Sequence, residues 1–356
     1  MEERPSVRPS MRELASFLGV SASTISLALR NDARVARETC LRIQEYAARH
    51  GYRVDPVVTD LMSRIRTSGA SNSAKPYQET IGWLNPHPDP DFFSNEKFGP
   101  KAAYGMRLWK GAEGRAAELG IALNVLWLKE PGMTGHRMSA VLQARGIRGL
   151  LIPPLPKACG HLRIDWSQFM VTALSFSLVR PQFDVVVPDH HHNMMLVLRK
   201  LRQKGRRRVG LITPPSRLGR VEDRFLSAYY PYQLSLPVAQ RIPALVGSGD
   251  FENEVAAWLK KYRPDTVIAS SHFRELQAFR ARASRLREFE IVQIPHGPSA
   301  DGVAGVDECP ETVGAAAVEH VLSKIHRGER GIPESSRTVL VKGRWIEASS
   351  VPAAKV

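Results

Sequence analysis

The sequence predicts a small all-α unit at its amino end, followed by a larger α/β core built from two similar halves. Two observations carry this reading. Up to about residue 50 the apolar residues recur at helical spacing, with capping residues between them. Beyond residue 80, short apolar runs alternate with helical stretches. A Ser/Gly/Ala-rich segment, "TSGASNSAKPYQE" at 67–79, separates the two regimes and reads as a linker. At 356 residues and 43% hydrophobic, the chain has room for two or three domains and a sizeable core.

In the first unit, Met11, Leu14, Ala15 and Leu18 share one face of a helix, with Ser10 and Glu13 forming a capping box. Gly19 ends that helix and Ser21 caps a second, from Ala22 to about Leu29. The turn is short enough to force a close crossing, and Ala15 and Ile25 are compact where the pair would meet. A third helix, in "ARETCLRIQEYAARHGY", offers Leu41, Ile43, Tyr46 and Ala47 as a cover and ends at Gly51. Two short helices, a tight turn and a covering helix describe a DNA-binding helix-turn-helix. They describe a purely structural three-helix bundle as well, and up to Gly51 both remain open.

In the core, the expected strands are "TIGWLN" (80–85), "IALNVLWL" (121–128), "IRGLLIPP" (147–154) and "MVTALSF" (170–176). A helix over 102–120 follows the first. "FDVVVPD" (183–189) opens a second series, continued by a helix over 190–204 and by "RVGLITPP" (208–215), "DTVIASS" (265–271) and "EIVQIP" (290–295). A helix over 312–328 and a single strand, "RTVLVKGRW" (337–345), complete the order, which reads as two successive Rossmann-like halves.

Composition narrows the function. A formal charge of +15 points to an anionic partner, although residues 1–66 hold only 11 Lys/Arg against 8 Asp/Glu. The densest run, "RKLRQKGRRR" at 199–208, reads as the solvated end of a helix, with nonspecific polyanion contact as its alternative. Three scattered cysteines (Cys40, Cys159 and Cys309) point to reduced thiols, not to a disulfide framework or zinc site. No run of 18 apolar residues occurs and "MEERPSVRPS" has no apolar signal region, so no membrane partner and a cytoplasmic location are expected. In "DHHHN" (189–193) consecutive imidazoles point in different directions and do not readily share one ion. The glycines of "GAEGRAAELG" fall within a helix instead of a phosphate-binding turn, and no GxSxG, HExxH or P-loop occurs. No cofactor, no metal and no enzymatic activity are therefore expected.

The segment after the third helix bears on the choice between bundle and groove reader. From Met11 through "GVSASTIS", "VARET", "GYR" and "GYRVDPVVTDLMSRIRTS", the sequence resembles without a gap the headpiece and hinge of LacI/GalR (lactose-repressor) family transcription regulators. The likeness extends to "GVDECPETVGAAAVEHVLSKI". It implies a helix-turn-helix DNA-binding headpiece over 1–55 and a hinge helix and linker over 56–79. It also implies a periplasmic-binding-protein-like core over 80–356 that binds an effector and dimerises. The first subdomain is expected at about 80–182 and 304–330, the second at about 183–296 and 337–350, with crossovers near 182–190, 296–304 and 330–337.

The resemblance assigns roles to particular residues. Ala22, Ser23 and Leu27 fall where the recognition helix meets base edges. Ser21, Thr24, Arg30, Arg34 and Thr39 fall where phosphates are held, and Arg12 suits either task. Leu61 matches a leucine that wedges into the minor groove from a hinge helix near Pro56–Arg64, which becomes helical mainly on DNA. Leu27 stands where many relatives have Arg, and Val54-Asp55 where they often have Pro-Asn, so an uncommon half-site is expected.

Effector candidates lie at the carboxyl ends of core strands and at the crossovers. They are Trp83 and Asn85, Phe176, Asp189, Arg224 in "RVEDRFLSAYY", Ser270 and Ser271, His296 and Glu308. Ser270-Ser271 replaces a frequent Asn-Asp pair and His296 a common aspartate, which removes carboxylates that grip sugar hydroxyls. That turns the expectation away from a simple sugar, toward an anionic ligand or none. The expected protein is a homodimeric repressor on pseudo-palindromic double-stranded operator DNA, modulated by a small molecule. The alternative is a solute-binding module without specific DNA readout.

Overall fold

The structure is a computed structural model, and it describes residues 11–29, 34–50, 79–93, 99–157, 160–247, 251–270, 273–282, 289–297 and 302–348. The chain divides into two compact units, 1–77 and 78–356.

The first unit contains helices α1 (Met11–Leu18), α2 (Ala22–Ala28) and α3 (Arg37–Arg49). Leu14, Ala15, Ile25, Ala28, Cys40, Ile43 and Ala47 are buried in it, because each helix turns one apolar stripe inward. Gly19 adopts φ +65°, the left-handed conformation that ends α1 at little cost for a residue without a Cβ. Leu41, expected in the cover, is instead 53% exposed. At 100° per residue it points away from Cys40, Ile43 and Ala47, which form the inner face of α3. Ser10, the hinge segment and all of the linker except Glu79 lie outside the described residues.

The second unit has two lobes. In the first, β1 (Thr80–Asn85), β2 (Ala122–Trp127), β3 (Gly149–Ile152), β5 (Met170–Ala173), β7 (Asp184–Pro188) and β13 (Thr338–Val341) form a parallel sheet in the order β13-β7-β5-β3-β1-β2. A two-stranded pairing of β4 (Gly160–His161) with β6 (Leu178–Arg180) lies beside it. Strand β3 is buried along its whole length whereas the edge strand β2 is half open, the burial expected of inner and outer strands. Helix α5 (Gly135–Ala144) buries Met138 and Leu142 against the sheet.

On the sheet lie α4 (Gly99–Glu118) and α11 (Pro310–Arg327), packed closely together. A methyl at Gly314 would overlap the Leu108 carbonyl and one at Gly111 the Glu311 backbone, so both glycines permit this approach.

The second lobe holds β8 (Val209–Thr213), β9 (Leu245–Val246), β10 (Thr266–Ala269), β11 (Glu290–Gln293), β12 (Gly305–Asp307) and β14 (Arg344–Ile346). Their order is β14-β12-β11-β10-β8-β9, with β14 antiparallel. Around it run α6 (His190–Gln203), α7 (Pro215–Arg220), α8 (Arg224–Leu234), α9 (Phe251–Tyr262) and α10 (Phe273–Arg282).

The expected division between the lobes needs three corrections. The strand in "FDVVVPD" belongs to the first sheet, because Asp184 is fully buried there, 2.9 Å from Lys324 and 2.8 Å from Arg337. The run "RTVLVKGRW" is two strands in different sheets, broken at Gly343, whose amide donates to Asn193 Oδ1 at 2.8 Å. Strand β12, expected in the first lobe, pairs with β11 and β14 in the second. The chain therefore crosses between lobes at 188–190, 307–310 and 341–344.

Candidate functional site

In the amino-terminal unit, Ser21 ends the turn and its hydroxyl accepts from the Thr24 amide at 3.1 Å, satisfying one of the open donors at the start of α2. The same oxygen lies 2.7 Å from Ser23 Oγ and 2.8 Å from Thr24 Oγ1, so three hydroxyls cluster at this helix start. Ile25 and Ala28 face inward, while Ser23 and Leu27, one turn apart, share another face that is exposed at Ser23 and half-buried at Leu27. Arg34 is exposed and Thr39 half-buried near the start of α3. Arg12 and Ala22 lie in α1 and α2 with side chains outside the described set, as Arg30 and Leu61 are entirely.

In the second unit a cavity of about 340 Å³ lies between the lobes, at the loops that leave the strands. The first lobe contributes His87 and Phe92 from the loop after β1, Tyr104 from α4, Pro154 to Pro156 after β3 and Ser175 after β5. The second contributes His190 from the start of α6, Arg217 and Arg220 from α7, Val221 and Pro295.

None of the described residues expected at the effector site lines this cavity. Trp83 is fully buried in the first lobe, with Phe93 and Trp109 meeting it edge-on at 5.3 Å each. Asn85 spends its amide on its own loop, donating to the Asp89 and Pro90 carbonyls at 3.0 and 2.8 Å and accepting from the His87 amide at 2.9 Å. It thereby fixes the loop that carries His87. Asp189 caps α6 by accepting from the His192 amide at 2.9 Å. Phe176 lies beneath the Arg224 guanidinium at 4.6 Å, a contact between the lobes. Ser270 is buried with its hydroxyl unpartnered, and His296 Nε2 sits 3.0 Å from the Val303 carbonyl. Ser271 lies outside the described residues.

Glu308 stands directly behind the cavity wall. It is fully buried, 2.7 Å from His190 Nδ1 and 3.3 Å from Arg217. Burial pushes its carboxyl up, but the charge and hydrogen bond of His190, with Arg217, outweigh this and hold it below the usual range. Arg217 Nε is buried without a partner. Arg220 donates across the lobes to the Leu155 carbonyl at 2.7 Å and to that of Pro156. Burial, with the like charge of Arg217, lowers its affinity for a proton.

His87 lies flat against Phe92, ring centroids 3.6 Å apart and planes 7° from parallel. Burial lowers its pKa to about 4, the Pro154 carbonyl opposing and Arg220 reinforcing, so the ring is neutral near pH 7. Burial also raises the Tyr104 hydroxyl well above its ordinary value, keeping it protonated.

Sequence reasoning missed Arg217, Arg220, His190 and His87 as lining residues. A signal existed for the arginines, which are three apart in "PSRLGR", directly after a strand end, and so share one face of a helical turn.

The described residues form three short helices in the first unit and, in the second, a two-lobed α/β core with a cavity at its strand ends, where α/β folds hold ligands. Solved structures similar to this chain include LacI-family regulators. One from Rhizobium etli matches at TM-score 0.56 and 17% identity, covering 77% of this chain and 99% of its own. The transcriptional regulator CelR in complex with cellobiose matches at TM-score 0.51 and 15% identity, covering 97% of this chain and 100% of its own. The lac repressor dimer bound to operator and the anti-inducer ONPF matches at 0.50 and 16%, covering 96% and 98%. No protein-family profile matches the sequence, and no curated protein matches it by sequence. No described helix is long and apolar enough to cross a membrane.

Proposed function

We propose that this chain is a ligand-modulated transcription regulator. It binds a pseudo-palindromic operator as a homodimer through residues 11–66 and acts as a repressor. The observation that carries the reading is the extent of the fold likeness: regulators solved with cellobiose, or with operator and ONPF, match over 96–97% of this chain, both units included. The local chemistry agrees. The start of α2 offers a hydroxyl cluster suited to phosphate contact, and the Ser23–Leu27 face suits groove contact.

A small molecule held between the lobes changes their relative angle, and its differential affinity for the two arrangements sets how strongly the operator is held. Contacts between the lobes that a change of angle must break or remake include Arg220 to the 155–156 carbonyls and Arg224 to Phe176.

Binding of a duplex across a salt series tests the reading. Phosphate contacts release counterions, so affinity is expected to fall by orders of magnitude between about 50 and 200 mM salt. A salt-independent association, or none, refutes it. Leu61→Ala is expected to weaken specific binding far more than nonspecific binding; equal losses remove the wedge role.

A further inference from the structure

The lining of the cavity has a chemical bias that names a class of ligand. Two guanidiniums, Arg217 and Arg220, stand one turn apart on it, and the described lining residues include no Asp, Glu, Asn or Gln. Among the described lining residues, side-chain hydroxyls come from Tyr104 and Ser175. A sugar needs donors and acceptors together around its ring, and a wall so poor in acceptors leaves most of its hydroxyls unpaired. An anion needs donors only: Arg217 Nε is buried without a partner and the Arg217 Nη2 contact to Glu308 is long at 3.3 Å, while Arg220, held by the 155–156 carbonyls, adds its charge.

The rest of the wall is flat and apolar. The stacked rings of His87 and Phe92, with Phe93, Leu174 and several prolines, line the same space as the arginines. Such a wall receives a ring by stacking and by loss of apolar surface from water. Because His87 is neutral, the slab adds no charge of its own.

We propose that the interlobe cavity binds a small carboxylate with a planar aromatic body, its carboxylate on Arg217 and Arg220 and its ring on the His87–Phe92 slab. Glu308, buried behind this wall, is shared between His190 and Arg217, so the two guanidiniums keep a net positive charge for a carboxylate to meet. The inference deepens the ligand-modulated reading and rests on it only for what occupancy does to DNA affinity.

Titration calorimetry on the full chain tests it with four probes, benzoate, phenylacetate, cinnamate and indole-3-acetate, each beside its neutral amide, and with glucose as a polyol. At least one carboxylate is expected to bind about ten-fold tighter than its own amide, and tighter than glucose. Arg217→Gln and Arg220→Gln are each expected to remove that preference, bringing acid and amide affinities within about two-fold of each other. Thermal melts of both variants without ligand separate loss of binding from loss of fold, and the second variant leaves Glu308 and its partners untouched. Amides binding as tightly as acids, glucose binding tightest, no probe binding at all, or folded variants that both keep the preference would each overturn the proposal. A separate DNA titration of the unliganded chain distinguishes the two failures. Operator binding with the wrong ligand class sinks this inference alone, and carboxylate binding without DNA binding sinks the regulator reading alone.

Discussion

Replacing Glu308 by Gln removes one negative charge from a fully buried position while keeping nearly the same shape. Arg217 is left without its carboxylate partner, and His190 Nδ1 faces an amide in place of an anion 2.7 Å away. Breaking a buried ion pair from one side costs about 3–5 kcal/mol when the remaining charge stays fully desolvated. The Arg217 side chain is 21% exposed and regains some water, so a loss of about 2–4 kcal/mol is expected.

The assay is denaturant unfolding of the second unit within the full chain, followed by tryptophan fluorescence, wild type against variant. Its pH dependence has a definite sign. The carboxyl is depressed in the folded state, so its contribution is complete above the ordinary value of 4.5 and fades as pH falls through the lower native value. The two proteins should therefore differ most near neutrality and converge in acid. A loss below about 0.5 kcal/mol near pH 7, or a gap that widens in acid, would refute the reasoning.

Two further effects arise from the packing. Ile25→Ala empties a fully buried position between the three amino-terminal helices, and a cost of about 2–4 kcal/mol should unfold that small unit. DNA binding is lost while the melting of the second unit is unchanged; retained DNA binding contradicts the placement. Lys324→Met breaks the 2.9 Å contact to Asp184, where both side chains are almost fully buried, and about 3 kcal/mol is expected to go, because Arg337 still pairs the carboxylate. In the native chain, burial pushes Asp184 up and its hydrogen bonds to Arg337 and Lys324 more than compensate, lowering it to about 2. Stability on the order of 2 kcal/mol is then lost as pH falls from about 4 to 2, and Lys324→Met should move that loss to higher pH. Acid titration of both proteins by circular dichroism reads the shift.

The parts of this structure legible in the sequence are those set by neighbours along the chain. Helices α1 and α2 announce themselves through Gly19, Ser21 and the apolar spacing of Leu14, Ala15 and Ile25, all local signals. Strands such as β3 and β8 are readable as buried apolar runs. Which sheet a strand joins is not local. Asp184 belongs to the first lobe because its partners, Lys324 and Arg337, lie about 150 positions further along. Even so, Gly343 in the middle of "TVLVKGRW" was a visible break, of the kind that marks a change of direction.

The cavity was harder to read because its wall is assembled from loops after several different strands. The family correspondence pointed to Trp83, Asn85 and Arg224, which here pack, brace a loop and cover Phe176. The groups facing the space come from the same loops, a few positions away: His87 in place of Asn85, and Arg217 and Arg220 in place of Arg224.

The central claim is that the amino-terminal helices read DNA on behalf of a ligand-controlled core. Selection of bound duplexes from a random pool by the full chain at moderate salt, with sequencing of the bound fraction, tests it most directly. A two-fold symmetric motif with an easily unstacked central step is the predicted result, and its half-site would show what Leu27 reads. A pool that stays without sequence preference would contradict the claim, leaving the cavity of the second unit as the seat of function.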